Sequence, residues 1–278
     1  EDSENSEYIA YSSHRFTSPY NVYVDQTNHS DLIYGFFGLT ASEAVWVGME
    51  DKDYEVAGLN APTAVITMLY LNKEYTITLG APLVSKTENS DGTVTTTLAG
   101  YYGTFSEDPD VLYEFTAGSV PWATMDVEDC MARLFLLPYI YSLDGIVYKD
   151  SERTIEFAVK KTAAAGENEK DTYEFYMDGE RIEDEDKFKE LYQYFISAYG
   201  EEIYTDEEKG GFICSLTYKY SDPNRADDTV SFYNSDTDRK TIIAVNGENL
   251  FKTRQMFSTR LVENMENYLN GGEISLNY

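Results

Sequence analysis

The chain reads as an α+β protein in which small antiparallel sheets, built from hairpins, are each followed by one covering helix, the units standing in tandem. Three observations predict this. β-prone runs with period-two alternation recur along the chain, separated by Asp-Gly and Asn-Gly turn signals. Segments of helical periodicity follow these runs, near 126–136, 184–199 and 253–269. The wording Asp-Thr-x-x-Phe-Tyr occurs twice, at 171–176 and 228–233, as internal repetition would produce. The units are bounded as an irregular segment with short strands (1–57), a first hairpin-plus-helix unit (58–145), a shortened middle unit (146–208) and a third unit (209–278).

In the first unit, Thr63–Met68 and Glu74–Leu79 are strand-forming runs joined by Leu71-Asn72-Lys73, which reads as a hairpin. Asp91-Gly92 marks a second, longer turn, and strands follow at 100–104 and 111–115, separated by Glu107-Asp108-Pro109-Asp110. Asp126 is placed to cap a helix running to about Leu136, with Pro138 ending the pattern. Trp122 reads as a core plug at that strand-to-helix junction. Before this unit, Asn21–Val24 and Ala44–Val47 predict short strands and no long helix.

The middle unit alternates at Thr154–Val159 and Asp171–Tyr176 around an Ala/Gly/Glu-rich loop, turns at Asp178-Gly179, and enters a helix at Asp184. Phe188, Leu191, Tyr192, Phe195 and Ile196 share one face of that helix, and Gly200 reads as its stop. In the third unit Leu216, Tyr218 and Tyr220 alternate, Asp228–Tyr233 and Thr241–Val245 follow, and Asn246-Gly247 turns into a helix over about 253–269 ending at Gly271-Gly272. The predicted core comprises Val65, Ile66, Ile77, Leu79, Ile155, Phe157, Phe175, Phe188, Leu191, Phe195, Leu216, Phe232, Ile242, Val245, Phe257 and Leu261.

Composition narrows the function. The chain has 278 residues with 50 Asp and Glu against 21 Lys and Arg, a formal net charge of −29. Such a surface repels nucleic-acid backbones and anionic lipid headgroups. No apolar stretch reaches the roughly 20 residues a spanning helix needs, so no insertion of this chain into a membrane is expected. The acidic start, Glu1 to Glu7, reads as a linker once preceded by a signal, a lipid anchor or a transmembrane helix.

The pieces of chemistry are sparse. His14 and His29 are the only histidines, no G-x-S-x-G elbow occurs, and neither His stands near a cysteine at zinc-ligand spacing. Cys130 and Cys214 read as small buried hydrophobes, although one bridge between them stays open. Asn234-Ser235-Asp236-Thr237-Asp238 resembles the opening of a calcium loop, but its sixth position is Arg239 and its twelfth Val245, where Gly and Glu belong. It reads as a polar hairpin turn, and Asp227-Asp228 and Glu50-Asp51 with Asp53 read as solvated loops. No catalytic, cofactor-binding or metal-ligating residue is assigned, and no cofactor is implied.

From Tyr54 onward the chain resembles a bacterial family known as domain of unknown function 4340. The resemblance is carried by Gly58-Leu59-Asn60-Ala61-Pro62 leading into a hairpin, by Tyr75-Thr76-Ile77-Thr78-Leu79-Gly80, by Gly100-Tyr101-Tyr102 and Val111-Leu112-Tyr113, and by the two later hairpin-plus-helix stretches. It covers about four-fifths of the chain and fits the first fifty residues poorly. It implies an envelope protein held to the bacterial membrane by an N-terminal anchor, associated with ABC transporters of the gliding-motility type. The expected function is therefore a non-catalytic, extracytoplasmic binding or scaffolding module serving a transporter or envelope complex, with a membrane or envelope protein as its partner. Two competing classes stand beside it. One is a secreted glycan-acting enzyme with an unidentified carboxylate pair. The other is an adhesin-like protein whose Tyr101, Tyr102, Tyr113, Tyr218 and Tyr220 line an open sheet face.

Overall fold

The computed structural model describes residues 11–27, 35, 38–164, 170–205 and 209–277, which fall into two compact units. The acidic start, His29 and most of the Ala/Gly/Glu-rich loop lie outside the described residues. One unit spans 26–130; the other combines the first 25 residues with 131–278. A two-stranded sheet, β1 (Tyr11–Arg15) with β2 (Tyr23–Asp25), belongs to the latter, where Val24 also bridges Met131.

The 26–130 unit is a five-stranded antiparallel sheet. Its strands are β3 (Glu43–Val47), β4 (Ala64–Tyr70), β5 (Lys73–Glu88), β6 (Val94–Phe105) and β7 (Asp108–Thr116), in the order β3-β7-β6-β5-β4. Leu71 and Asn72 both have positive φ, the two-residue turn whose twist matches that of the strands it joins. A short helix, α1 (Asp51–Val56), precedes β4 and buries none of its own side chains. Behind it Gly58 takes φ +72, and the next strand approaches so closely that the Ala81 N–H donates to the Ala57 carbonyl at 2.7 Å. The Gly58–Pro62 motif is thus a chain reversal against β5.

The second unit holds a nine-stranded antiparallel sheet. Its strands are β8 (Leu143–Asp150), β9 (Thr154–Thr162), β10 (Thr172–Met177), β11 (Glu180–Arg181), β12 (Glu202–Ile203), β13 (Lys209–Tyr220), β14 (Asp228–Ser235), β15 (Lys240–Val245) and β16 (Glu248–Arg254). They run in the order β11-β10-β9-β8-β13-β14-β15-β16-β12. Helix α2 (Glu185–Phe195) follows β11 and α3 (Gln255–Leu269) follows β16. Asp184 caps α2, its side chain accepting from the Lys187 N–H at 3.0 Å. Asp178-Gly179 and Asn246-Gly247 turn β10 into β11 and β15 into β16, all four residues with positive φ.

The core of this unit is one layer. Cross-strand partners Ile146 and Phe157, Tyr148 and Leu216, and Phe232 and Ile243 all face the helices, meeting Phe188, Leu191 and Phe195 of α2 and Phe257, Leu261 and Met265 of α3. The alternation along β13, in which Cys214, Leu216, Tyr218 and Tyr220 are buried and the residues between them half-buried, is that of a sheet packed on one side.

This architecture corrects the expected fold. The protein is mainly β, with three sheets and three α-helices among the described residues, and it is not a tandem of hairpins each with its own sheet and helix. The β8·β13 pairing fuses the strands of the middle and last stretches into one sheet, because the edge each would leave bare is satisfied by the other. The helix expected over 126–136 is absent. Only a 3-10 turn, Val127–Cys130, forms there. Beyond it the backbone bonds sideways: the Ala132 N–H donates to Tyr23, and the Arg133 carbonyl accepts from Gly200. Gly200 accordingly does not stop α2, which ends at Phe195; a Cβ there would strike the Phe251 ring at 2.5 Å.

Among predicted core residues only Val65 is exposed, at 56%, and Ile66 and Ile77 are half-buried; the rest are buried. Val65 and Ile66 are consecutive on an edge strand, so only one can face inward, and the register with Ile77 selects Ile66.

Candidate functional site

One face of the five-stranded sheet is partly open. Alternation puts Ile66 and Met68 of β4, Tyr75 and Ile77 of β5, Phe105 of β6, and Tyr113 and Phe115 of β7 on that face. At one end Val120, Trp122 and Leu39 pack onto Leu79, Tyr101 and Phe115 and close it. At the other end, toward the β4–β5 turn, a cavity of about 500 Å³ remains, within the range of small-molecule sites. Gly38, Leu39 and Ala41 form its wall outside the strands.

Gly103 shapes the floor between these rows. A Cβ at this position would lie 2.9 Å from Leu79 Cδ2 and 3.0 Å from Phe115 Cε2. Its absence lets those side chains meet over β6. The opposite face of the sheet is closed by Ala57, Leu59 and Leu112 with Tyr54 and Met49, so the opening is one-sided.

Aromatic rings and carboxylates mark the mouth. Tyr75 stacks on Phe105, with centroids 6.0 Å apart and planes 6° from parallel. Lys73 places its Nζ 5.1 Å from the Tyr75 ring centroid and forms an ion pair with Glu107, which raises its pKa. Burial first, and then the nearby negative charges of Asp108 and Asp110, hold the Tyr113 pKa above the ordinary tyrosine value. None of the residues described as lining the cavity carries a carboxylate, an imidazole, a thiol or an amine. The lining can exclude water and grip apolar surface, and only tyrosine hydroxyls offer it polar contacts.

The residues weighed in the sequence lie elsewhere or are otherwise engaged. Asp236 and Asp238 sit in the β14–β15 turn. Burial alone would push the Asp238 carboxyl up, but hydrogen bonds from Lys252 and Ser235 outweigh it and hold it low. Asp228 accepts from Tyr220 and from Asn246, and Glu50 and Asp53 cap α1. No group of acidic, His or Cys side chains that could hold a metal occurs among the described residues. Cys130 and Cys214 are buried and not disulfide-bonded. Of the five tyrosines considered for an open aromatic face, Tyr101, Tyr218 and Tyr220 are buried. Only Tyr113 lines the cavity.

Tyr75, Phe105, Met68, Leu39 and Ala41 were not singled out as site residues. The signal was present in the phase of β4 and β5, which stacks Ile66, Met68, Tyr75 and Ile77 on one face with no amphipathic helix among 38–130 to cover them.

No family model, no curated protein and no solved structure matches the chain.

Proposed function

We propose that this protein is a binding module whose five-stranded unit takes a small, largely apolar ligand in the cavity beside Tyr75, Phe105 and Tyr113. The single observation carrying this reading is a cavity of about 500 Å³, lined by apolar and aromatic side chains, on a sheet face that no helix among residues 38–130 covers. The nine-stranded unit, with its single continuous core, has the character of a rigid scaffold. The setting we propose is the one the family resemblance implies: the outer side of a bacterial membrane, in service of a transporter or envelope complex.

Binding is favoured over catalysis because a glycan-acting site would need two carboxylates flanking the substrate. Among the described residues, Glu107 and Asp108 stand at the mouth and no carboxylate lines the cavity. The test is titration with the neutral fluorophore N-phenyl-1-naphthylamine. Saturable binding at one site is expected, and Ala41→Trp, which puts an indole into the cavity from outside the strands, should abolish it while circular dichroism stays unchanged. Equal binding by the wild type and Ala41→Trp would overturn the reading.

A further inference from the structure

The cavity and its mouth differ in chemistry, and the difference selects a ligand. Inside, Ile66, Met68, Ile77 and Leu39 offer hydrocarbon. At the mouth the rings of Tyr75, Phe105 and Tyr113 present aromatic faces and edges, and the faces of such rings carry negative quadrupole charge. The β6–β7 turn adds Glu107, and Asp108, the first residue of β7, stands opposite Phe105. Both are tied to the site: Glu107 through Lys73 and the Tyr75 ring, and Asp108 through its cross-strand register with Phe105. The protein already seats one amine in this environment, the Lys73 ammonium against Tyr75 and Glu107.

The surroundings reinforce this bias. Residues 26–130 contain sixteen Asp and Glu but only Lys52, Lys73 and Lys86 as cations, and no Arg. Lys52 is paired with Glu50, and Lys73 with Glu107. An anionic headgroup at the mouth would meet carboxylates, whereas an ammonium would meet rings and carboxylates together.

We propose, on the basis of the binding reading above, that the ligand is an amphipathic cation whose hydrocarbon chain lies along Ile66, Met68 and Ile77 and whose amine or quaternary ammonium rests at the mouth against Tyr75, Tyr113 and Asp108. The apolar part supplies affinity and the mouth supplies selectivity for charge.

The experiment is calorimetric titration of the full chain with three amphiphiles of one chain length, each below its micelle concentration: decyltrimethylammonium, decyl maltoside and decyl sulfate. The trimethylammonium compound should bind at one site, on the order of tenfold tighter than the maltoside, with the sulfate weakest. Asp108→Asn should narrow the gap between cation and neutral compound, and Tyr113→Phe, which keeps the ring, should leave most of it. Ala41→Trp should remove binding of all three. Equal affinity for cation and maltoside would overturn the charge selectivity and leave the cavity's binding role standing. Tighter binding of the sulfate would do the same. Cation binding that survives Ala41→Trp would reveal adsorption to the acidic surface and overturn the inference. If none of the three binds, the binding reading itself fails.

Discussion

Tyr148 donates its hydroxyl to the Asp150 carboxylate at 3.0 Å, two residues further along β8 and on the same buried face of the nine-stranded sheet. The carboxylate is also capped by the N–H groups of Glu152 and Arg153, each at 2.8 Å, so one acid holds both a buried phenol and the β8–β9 turn.

Asp150→Asn should destabilise the nine-stranded unit by about 1–3 kcal/mol at neutral pH, because it weakens several charge-assisted bonds around a buried group. Burial alone would raise the Asp150 carboxyl, but the bonds from Glu152, Arg153 and Tyr148 outweigh it and hold it below its ordinary value. A carboxyl depressed in the folded state contributes stability that is full above its unfolded value, about 3.9, and is lost as pH falls through the folded value. Urea unfolding at a series of pH values should therefore show the gap between wild type and variant closing below about pH 4. A gap independent of pH would contradict this role.

Alkaline instability is expected from the buried and half-buried tyrosines. Burial first, and then the charge of Asp184, push the Tyr268 hydroxyl up to about 12, and burial drives Tyr148 and Tyr218 up as well. Since the folded value exceeds the unfolded value of about 10, the stability involved is intact below that pH and is lost as pH rises toward the folded value. The urea midpoint should fall steeply above about pH 10, and Tyr268→Phe should make the decline shallower.

Gly103→Ala should strain the five-stranded unit alone. The new Cβ would lie 2.9 Å from both Leu79 Cδ2 and the Thr78 carbonyl, so β5 or β7 must shift, at a cost of about 1–3 kcal/mol. Hydrogen exchange should rise across 64–116 and stay unchanged across 143–254.

Phe157→Ala should cost about 3–5 kcal/mol, since its ring lies 5.0 Å from Phe188, 6.1 Å from Phe195 and 6.0 Å from Tyr268 and so joins both helices to the sheet. Met256→Ala on α3, 53% exposed, should change stability by no more than about 0.5 kcal/mol. Equilibrium unfolding of the two variants checks the contrast.

Local structure was largely legible in the sequence. The β4–β5 hairpin, the Asp178-Gly179 and Asn246-Gly247 turns and the Asp184 cap are set by neighbouring residues, and each stands where its residue types put it. Pairing between distant segments was not legible. Residues 130–137 have the apolar content of a helix, yet Met131 and Ala132 bond to the 23–24 segment, a partner more than a hundred residues away. The fusion of strands through β8 and β13 likewise depends on edges meeting in space. The cavity was hidden for the same reason, since its lining comes from four strands and a loop and becomes one surface only when the register is known.

The most direct test of the cavity as a binding site is a methyl NMR titration of protein labelled at Ile and Met methyl groups with decyltrimethylammonium. The account predicts saturable shifts for Ile66, Met68 and Ile77, with Ile146 and Ile243 of the other unit unmoved. Shifts confined to the nine-stranded unit, or none at all, would contradict it.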